Sequence, residues 1–196
     1  MTGLELIGPG IKLAPTILEK MSASLKRPIA DVRIKITNLF GAHVKFTELK
    51  CKYIKTITSN DQPVLLTDVY VNLNLDINGV TIVDSEILRS DDIYRKIIVR
   101  GTAGAGKTMM MKYLAYHTLE SSGKIPIFID LREVENPRVE SFLKSLFRIS
   151  TPDQSKHEYE IFYAALRSGL FTFFFDGLDE VNPDYRQKTL AIIPFA

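Results

Sequence analysis

Apolar residues return at helical intervals through the first part of the chain and then change period. From Pro15 to Arg27, Ile17, Leu18, Met21 and Leu25 share one helical face, and Pro28 closes the segment. Residues 29–40 carry two patterns at once. Ile29, Val32, Ile36, Leu39 and Phe40 keep helical spacing, while Val32-Arg33-Ile34-Lys35-Ile36-Thr37 alternates like a strand; the helical pattern covers the longer window and is preferred. Phe46, Leu49, Tyr53 and Ile57 then repeat at helical intervals up to the turn-forming run Ser59-Asn60-Asp61-Gln62-Pro63. Residues 1–12 hold Gly8-Pro9-Gly10 and little periodicity, and read as a loose lead-in. Residues 1–60 are therefore expected to form a small helical N-terminal region.

The next stretch, residues 61–92, is expected to be a hairpin and an acidic connector. Val71-Asn72-Leu73-Asn74-Leu75 alternates apolar and polar, and Ile77-Asn78-Gly79-Val80 carries the Asn-Gly signal of a type I′ turn ahead of Thr81-Ile82-Val83. Residues 93–196 alternate strand and helix signals. Lys96-Ile97-Ile98-Val99-Arg100 reads as a buried strand, and Met110, Met111, Leu114, Ala115 and Leu119 form a helical stripe stopped by Ser121-Ser122-Gly123. Ile125-Pro126-Ile127-Phe128-Ile129-Asp130-Leu131 reads as a second strand. Asn136 with Pro137 begins a helix bearing Val139, Phe142, Leu143, Leu146 and Phe147. Ser155 with Glu158 resembles a capping box for a helix that carries Tyr159, Phe162, Tyr163 and Leu166 and closes at Gly169. Leu170-Phe171-Thr172-Phe173-Phe174-Phe175 is uniformly apolar and suits a parallel strand buried on both faces. A last helix is expected from Asn182 and Pro183 to Pro194. The alternation predicts an α/β fold, a parallel sheet flanked by helices, with ligands at the carboxyl ends of the strands.

Candidate chemistry sits at two such ends. Gly101-Thr102-Ala103-Gly104-Ala105-Gly106-Lys107-Thr108 fits G-x-x-x-x-G-K-[ST], between a strand signal and a helix signal. Its glycines let the backbone wind around a phosphate, and the helix N-terminus adds partial positive charge. Lys107 is expected to reach the β- and γ-phosphates and Thr108 to give its hydroxyl to Mg²⁺. Asp176-Gly177-Leu178-Asp179-Glu180 follows the phenylalanine-rich strand. Asp176 is placed to hold Mg²⁺ opposite Thr108, and Asp179 or Glu180 to orient or deprotonate an attacking water.

Composition narrows the picture little. The 196 residues are 45% hydrophobic and 24% charged, which is ordinary for a globular chain. Cys51 is the only cysteine, so no internal disulfide can form, and a reducing, cytoplasmic compartment is expected. No signal peptide is recognisable, and no apolar run approaches a membrane span. The net charge of +2 conceals a contrast: residues 1–60 hold ten Lys and Arg against four Asp and Glu, and residues 61–92 hold one against seven. The basic region could touch nucleic acid or an anionic membrane, or could be a solvated face beside the acidic segment. His43, His117 and His157 stand far apart and suggest no metal site.

Gly101 to Thr108, then Ile125 to Glu133, then Phe173-Phe174-Phe175-Asp176-Gly177-Leu178-Asp179-Glu180-Val181, resemble a NACHT domain of the STAND class of P-loop NTPases. The resemblance covers roughly residues 64–196. It implies ATP and ADP as ligands with Mg²⁺, nucleotide contacts from Gly101 through Met109, and a hydrolytic carboxylate at Glu180 rather than Asp179. Tyr70-Val71-Asn72-Leu73-Asn74-Leu75 resembles the family segment near the adenine, which implies nucleotide contact by Tyr70 and Val71; an edge strand is the alternative. The resemblance further implies a signalling switch: a closed ADP-bound monomer, an ATP-bound oligomer, slow hydrolysis, and a role in defence or innate immunity. The family has a further strand, with a polar sensor, between the phosphate-loop strand and the Asp176 strand, and helical and winged-helix domains beyond. None of these precedes Ala196, so the 196 residues are expected to be the N-terminal part of a longer protein, to hold an incomplete sheet, to bind nucleotide poorly and not to switch. Other readings are a turnover ATPase of AAA+-like motor or loader type, a small-molecule kinase, and an effector role for residues 1–60 on a membrane or partner helices. A GTPase is disfavoured, because no Asn-Lys-x-Asp segment occurs.

Overall fold

A computed structural model describes residues 5–7, 11–55, 62–90, 96–133, 152–181, 183, 184 and 187. The chain opens not with a loose lead-in but with two short antiparallel strands, β1 (Glu5–Ile7) and β2 (Ile11–Leu13). Three-residue strands are too short to show alternation, so their pairing is invisible to a periodicity argument.

Helix α1 (Pro15–Leu25) starts with proline at its first turn and ends at Lys26 in a left-handed conformation. Helix α2 (Ile29–Lys52) resolves the double pattern of residues 29–40. Val32, Ile36, Phe40, Val44, Thr47 and Cys51 form one buried stripe, while Ile34, which a strand would bury beside Val32 and Ile36, is 59% exposed. Tyr53 is not helical as its spacing predicts. It begins β3 (Tyr53–Lys55), which pairs antiparallel with β4 (Pro63–Leu65) because a cross-strand partner overrides local periodicity. Ile57 lies outside the described residues. A single helical turn, α3 (Leu66–Val69), leads to β5 (Asn74–Ile77) and β6 (Val80–Val83). Asn78 and Gly79 join these two through positive φ values, as the hairpin signal predicts.

Residues 96–100 correct an expectation. They form no strand, and Ile98 is 78% exposed. Apolar composition alone does not make a strand; a ladder partner does, and no described strand lies beside this segment. Helix α4 (Lys107–His117) continues into a π-helical turn, Thr118–Ser122, closed by Gly123 at φ +68°. Next comes β7 (Ile125–Asp130), buried along nearly its whole length. The helix expected from Pro137 lies outside the described residues.

Helix α5 (Pro152–Arg167) begins three residues ahead of Ser155, so Ser155 is inside the helix and not its cap. Proline at the first position, with φ already fixed, sets the start. The helix ends in a Schellman motif: Gly169 has φ +75°, its N–H donates to Leu166 O, and the Leu170 N–H donates to Ala165 O. Strand β8 (Phe171–Asp176) then pairs parallel with β7, from Ile125 opposite Phe171 to Asp130 opposite Asp176. Both of its faces are covered, as expected: Phe174 is buried on one side, and Phe171, Phe173 and Phe175 pack, partly buried, against the apolar cluster on the other. Pro183 and Asp184 are helical, as expected after Asn182, while Asn182 itself is not described.

Two apolar clusters hold this together. On one face of β7 and β8, Ile125, Ile127 and Ile129 pack with Ile17, Met21 and Phe40 of the N-terminal helices and with Phe162 of α5. On the other, Phe128 and Phe174 meet Met110, Leu114 and Ala115 of α4, and Cys51 from the end of α2 joins them. Each buried Ile, Leu, Met or Phe among them contributes about 1.5–3 kcal/mol by leaving water. The N-terminal helices therefore do not form a core of their own: they cover the sheet. His43 adds a polar tie, its Nε2 3.3 Å from the Pro126 carbonyl and 3.2 Å from Thr47 Oγ1. Burial pushes the Cys51 thiol up to about 12, the behaviour of an inert core side chain.

Candidate functional site

The loop from Gly101 to Gly106 turns through two left-handed glycines, Gly104 at φ +76° and Gly106 at φ +85°. L side chains rarely adopt such values, so glycine is required at both. Gly106 is the N-cap of α4, and no side chain caps the helix. The first amides of α4 are therefore left for an outside acceptor, and the helix dipole favours an anion there. Lys107 folds back over its own loop, its Nζ donating to Gly101 O at 2.9 Å and Thr102 O at 3.0 Å. An ammonium has three N–H donors, so it can keep one loop contact while reaching a phosphate oxygen.

The start of α4 and the end of β8 meet. Thr108 Oγ1 donates to Asp176 Oδ2 at 2.8 Å, which ties the first turn of α4 to the end of β8. Thr108 is half-buried and Asp176 buried. A hydroxyl and a carboxylate at this separation fit a magnesium ion that takes its remaining ligands from phosphate and water. Among the described residues, no group of three or more His, Cys, Asp or Glu could hold a metal alone.

Past Asp176, Gly177 leaves the sheet at φ +78°, and a short 3₁₀ turn, Leu178–Glu180, is closed by a Glu180 N–H to Gly177 O bond of 3.1 Å. Asp179 and Glu180 are exposed on this turn. Ala103 to Met109, Asp176, Asp179 and Glu180 line one cleft of about 620 Å³, walled also by Ile97, Ile98 and Val99. That volume suits a small-molecule site. Gly101 and Thr102 do not line the cleft but hold Lys107 through their carbonyls.

Tyr70 and Val71 do not line the cleft either. The Tyr70 ring stacks on Tyr113 of α4 at 4.1 Å, its hydroxyl donates to Asp84 Oδ2, and Val71 is 78% exposed. Burial and the Asp84 bond push the Tyr70 phenol above its usual range. The segment reaches the phosphate loop through Leu73 instead: a Cβ built on Gly106 would lie 3.5 Å from the Leu73 side chain. Asp84, fully buried, holds the Leu73 N–H at 2.9 Å through the same oxygen.

Sequence reasoning missed Asp130 and Arg132. Asp130 ends β7 directly beside Asp176. Arg132 donates from Nε to Asp130 Oδ1 at 2.7 Å and from Nη2 to Oδ2 at 2.6 Å, and its Nη1 lies 3.5 Å from Glu180 Oε2. The guanidinium holds the Asp130 carboxyl below the usual carboxylate range. The available signal was an acidic residue closing a strand parallel to the Asp176 strand, followed two positions later by a cation.

The chain matches the family model of the NACHT domain over residues 95–193, just over half of its length. No curated protein and no solved structure matches it.

Proposed function

The chain belongs to the NACHT family, and from that premise we propose that it is a nucleotide-controlled signalling switch that binds ATP or ADP with Mg²⁺ and hydrolyses ATP slowly. NACHT domains are P-loop NTPases of the STAND class, so the coarse activity is nucleoside-triphosphatase. The observation that best supports the reading is the Thr108–Asp176 hydrogen bond, because it puts the phosphate loop and the acidic strand end on one cleft.

In this reading the α4 amides and Lys107 receive the phosphates, and Thr108 and Asp176 hold the metal. Held there, Mg²⁺ would supply positive charge to the phosphates. Glu180, or Asp179 beside it, takes a proton from a water whose oxygen bonds to the γ-phosphorus. The bond from that phosphorus to the β–γ bridging oxygen breaks, and ADP leaves with that oxygen. Exchange of ADP for ATP would favour an oligomer, and signalling in defence is the output that the family membership favours.

Titration with a fluorescent ADP analogue at up to millimolar concentration tests the binding. Lys107→Ala should abolish it, and equal binding by wild type and variant would sink the proposal. Glu180→Gln should keep binding and slow hydrolysis by roughly 10²–10⁴-fold. Hydrolysis that survives this change moves the proton-accepting duty to Asp179. In the full-length protein, light scattering with a non-hydrolysable ATP analogue should show a larger species than with ADP. Rapid steady-state turnover would favour a motor-type ATPase.

A further inference from the structure

Arg132 is tied on three sides. Its side chain grips Asp130 through two nitrogens, its backbone N–H donates to Asp130 Oδ1 at 3.1 Å, and its Nη1 faces Glu180 Oε2 at 3.5 Å. Its stem lies against the turn that follows β8: a Cβ on Gly177 would come within 3.2 Å of Arg132 Cγ. A bidentate guanidinium–carboxylate pair fixes orientation as well as charge. Asp130 itself is fixed by β7, whose register sets it opposite Asp176. Arg132 is absent from the lining of the cleft, whereas Gly177, Leu178, Asp179 and Glu180 all face it. The cation stands behind the acidic turn, not in front of it.

The geometry points to Arg132 as a positioning residue, a clip from the end of β7 that sets where the 177–180 turn, and with it Glu180, stands in the cleft. This rests on reading the cleft as a nucleoside-triphosphatase site. Without the clip, the turn keeps its 3.1 Å Glu180–Gly177 backbone bond, its attachment to β8 and the packing of Leu178 and Val181 on the core, while the Glu180 side chain loses its cation. A carboxylate on a mobile turn spends less time aligned with water, and small misplacements of a catalytic group are costly to rate. Nucleotide affinity, which comes from the phosphate loop, should be spared.

The test compares wild type, Arg132→Ala and Asp130→Asn by steady-state ATP hydrolysis and by amide hydrogen exchange. Arg132→Ala should lower kcat at least tenfold and leave KM within twofold. Exchange at residues 178–181 should quicken at least tenfold, with β7 and α4 unchanged. Asp130→Asn, which frees the same guanidinium from its anchor, should move both readouts in the same direction. Unaltered exchange in Arg132→Ala overturns the inference. So does faster exchange with unaltered kcat, and so does a raised KM with kcat intact, which would make Arg132 a nucleotide ligand. If wild type neither binds nor hydrolyses nucleotide, the reading of the cleft fails, and the exchange measurement still decides whether the clip sets the turn.

Discussion

Gly177 combines two constraints that rarely coincide: a left-handed φ of +78° and an arginine stem where a Cβ would sit. Gly177→Ala should therefore destabilise the protein by about 1–3 kcal/mol. Gly41, in the middle of α2 with nothing near its missing Cβ, is the matched contrast. Gly41→Ala should stabilise by about 0.5–1 kcal/mol. Denaturant melts of the two variants check both signs. At this scale the phosphate loop was readable because each of its positions has a local chemical duty. Arg132 was not, because what defines it is Glu180, brought close only by the pairing of β7 with β8. Leu73 and Asp84 escaped for the same reason, since no local pattern announces contact with Gly106 or with Tyr70.

Elements that carry their own periodicity were legible, and those defined by a partner were not. Val32, Ile36 and Phe40 identified the first half of α2, and the Asn78-Gly79 turn identified its hairpin; in the second half Val44, Thr47 and Cys51 are buried, while Phe46 and Leu49, expected on the stripe, are exposed. The strands β1, β2 and β3 and the unpaired segment 96–100 depend on what runs alongside, which a one-dimensional pattern does not contain. The seam between α2 and the sheet should be a major source of stability. Phe40 is fully buried and meets Phe171 edge-on at 5.2 Å, so Phe40→Ala should cost about 3–5 kcal/mol in a denaturant melt. His43 on the same helix gives the seam a pH response. Burial lowers its pKa, so unfolding takes up a proton more readily than the folded form does. Its contribution is complete above the unfolded value of about 6.5 and is lost as pH falls through the lower folded value. Melting temperature should fall between pH 7.5 and 5, and His43→Gln should flatten part of that slope.

For the molecule as a whole, the consequential arrangement is that the N-terminal helices and the strands β7 and β8 share one apolar core. The apolar stripes of α1 and α2 face the core, which leaves Lys20, Lys26, Lys45 and Lys55 exposed, while Lys50 lies over the Phe128 ring. No helix among the described residues is long and apolar enough to cross a membrane. A ligand held in the cleft stiffens the junction of α4 and β8, on which both apolar clusters border. Nucleotide at a hundred times its Kd should therefore add about 2.7 kcal/mol to unfolding, seen as a higher melting temperature that Lys107→Ala loses.

The contact of Leu73 with Gly106 gives the phosphate loop a handle outside the cleft. Asp84 knots that handle to the hairpin, and Tyr70 anchors it on α4. Traction on the hairpin would thus be transmitted as a displacement beneath the loop amides, so that grip on a phosphate and the posture of a surface ribbon become one mechanical variable.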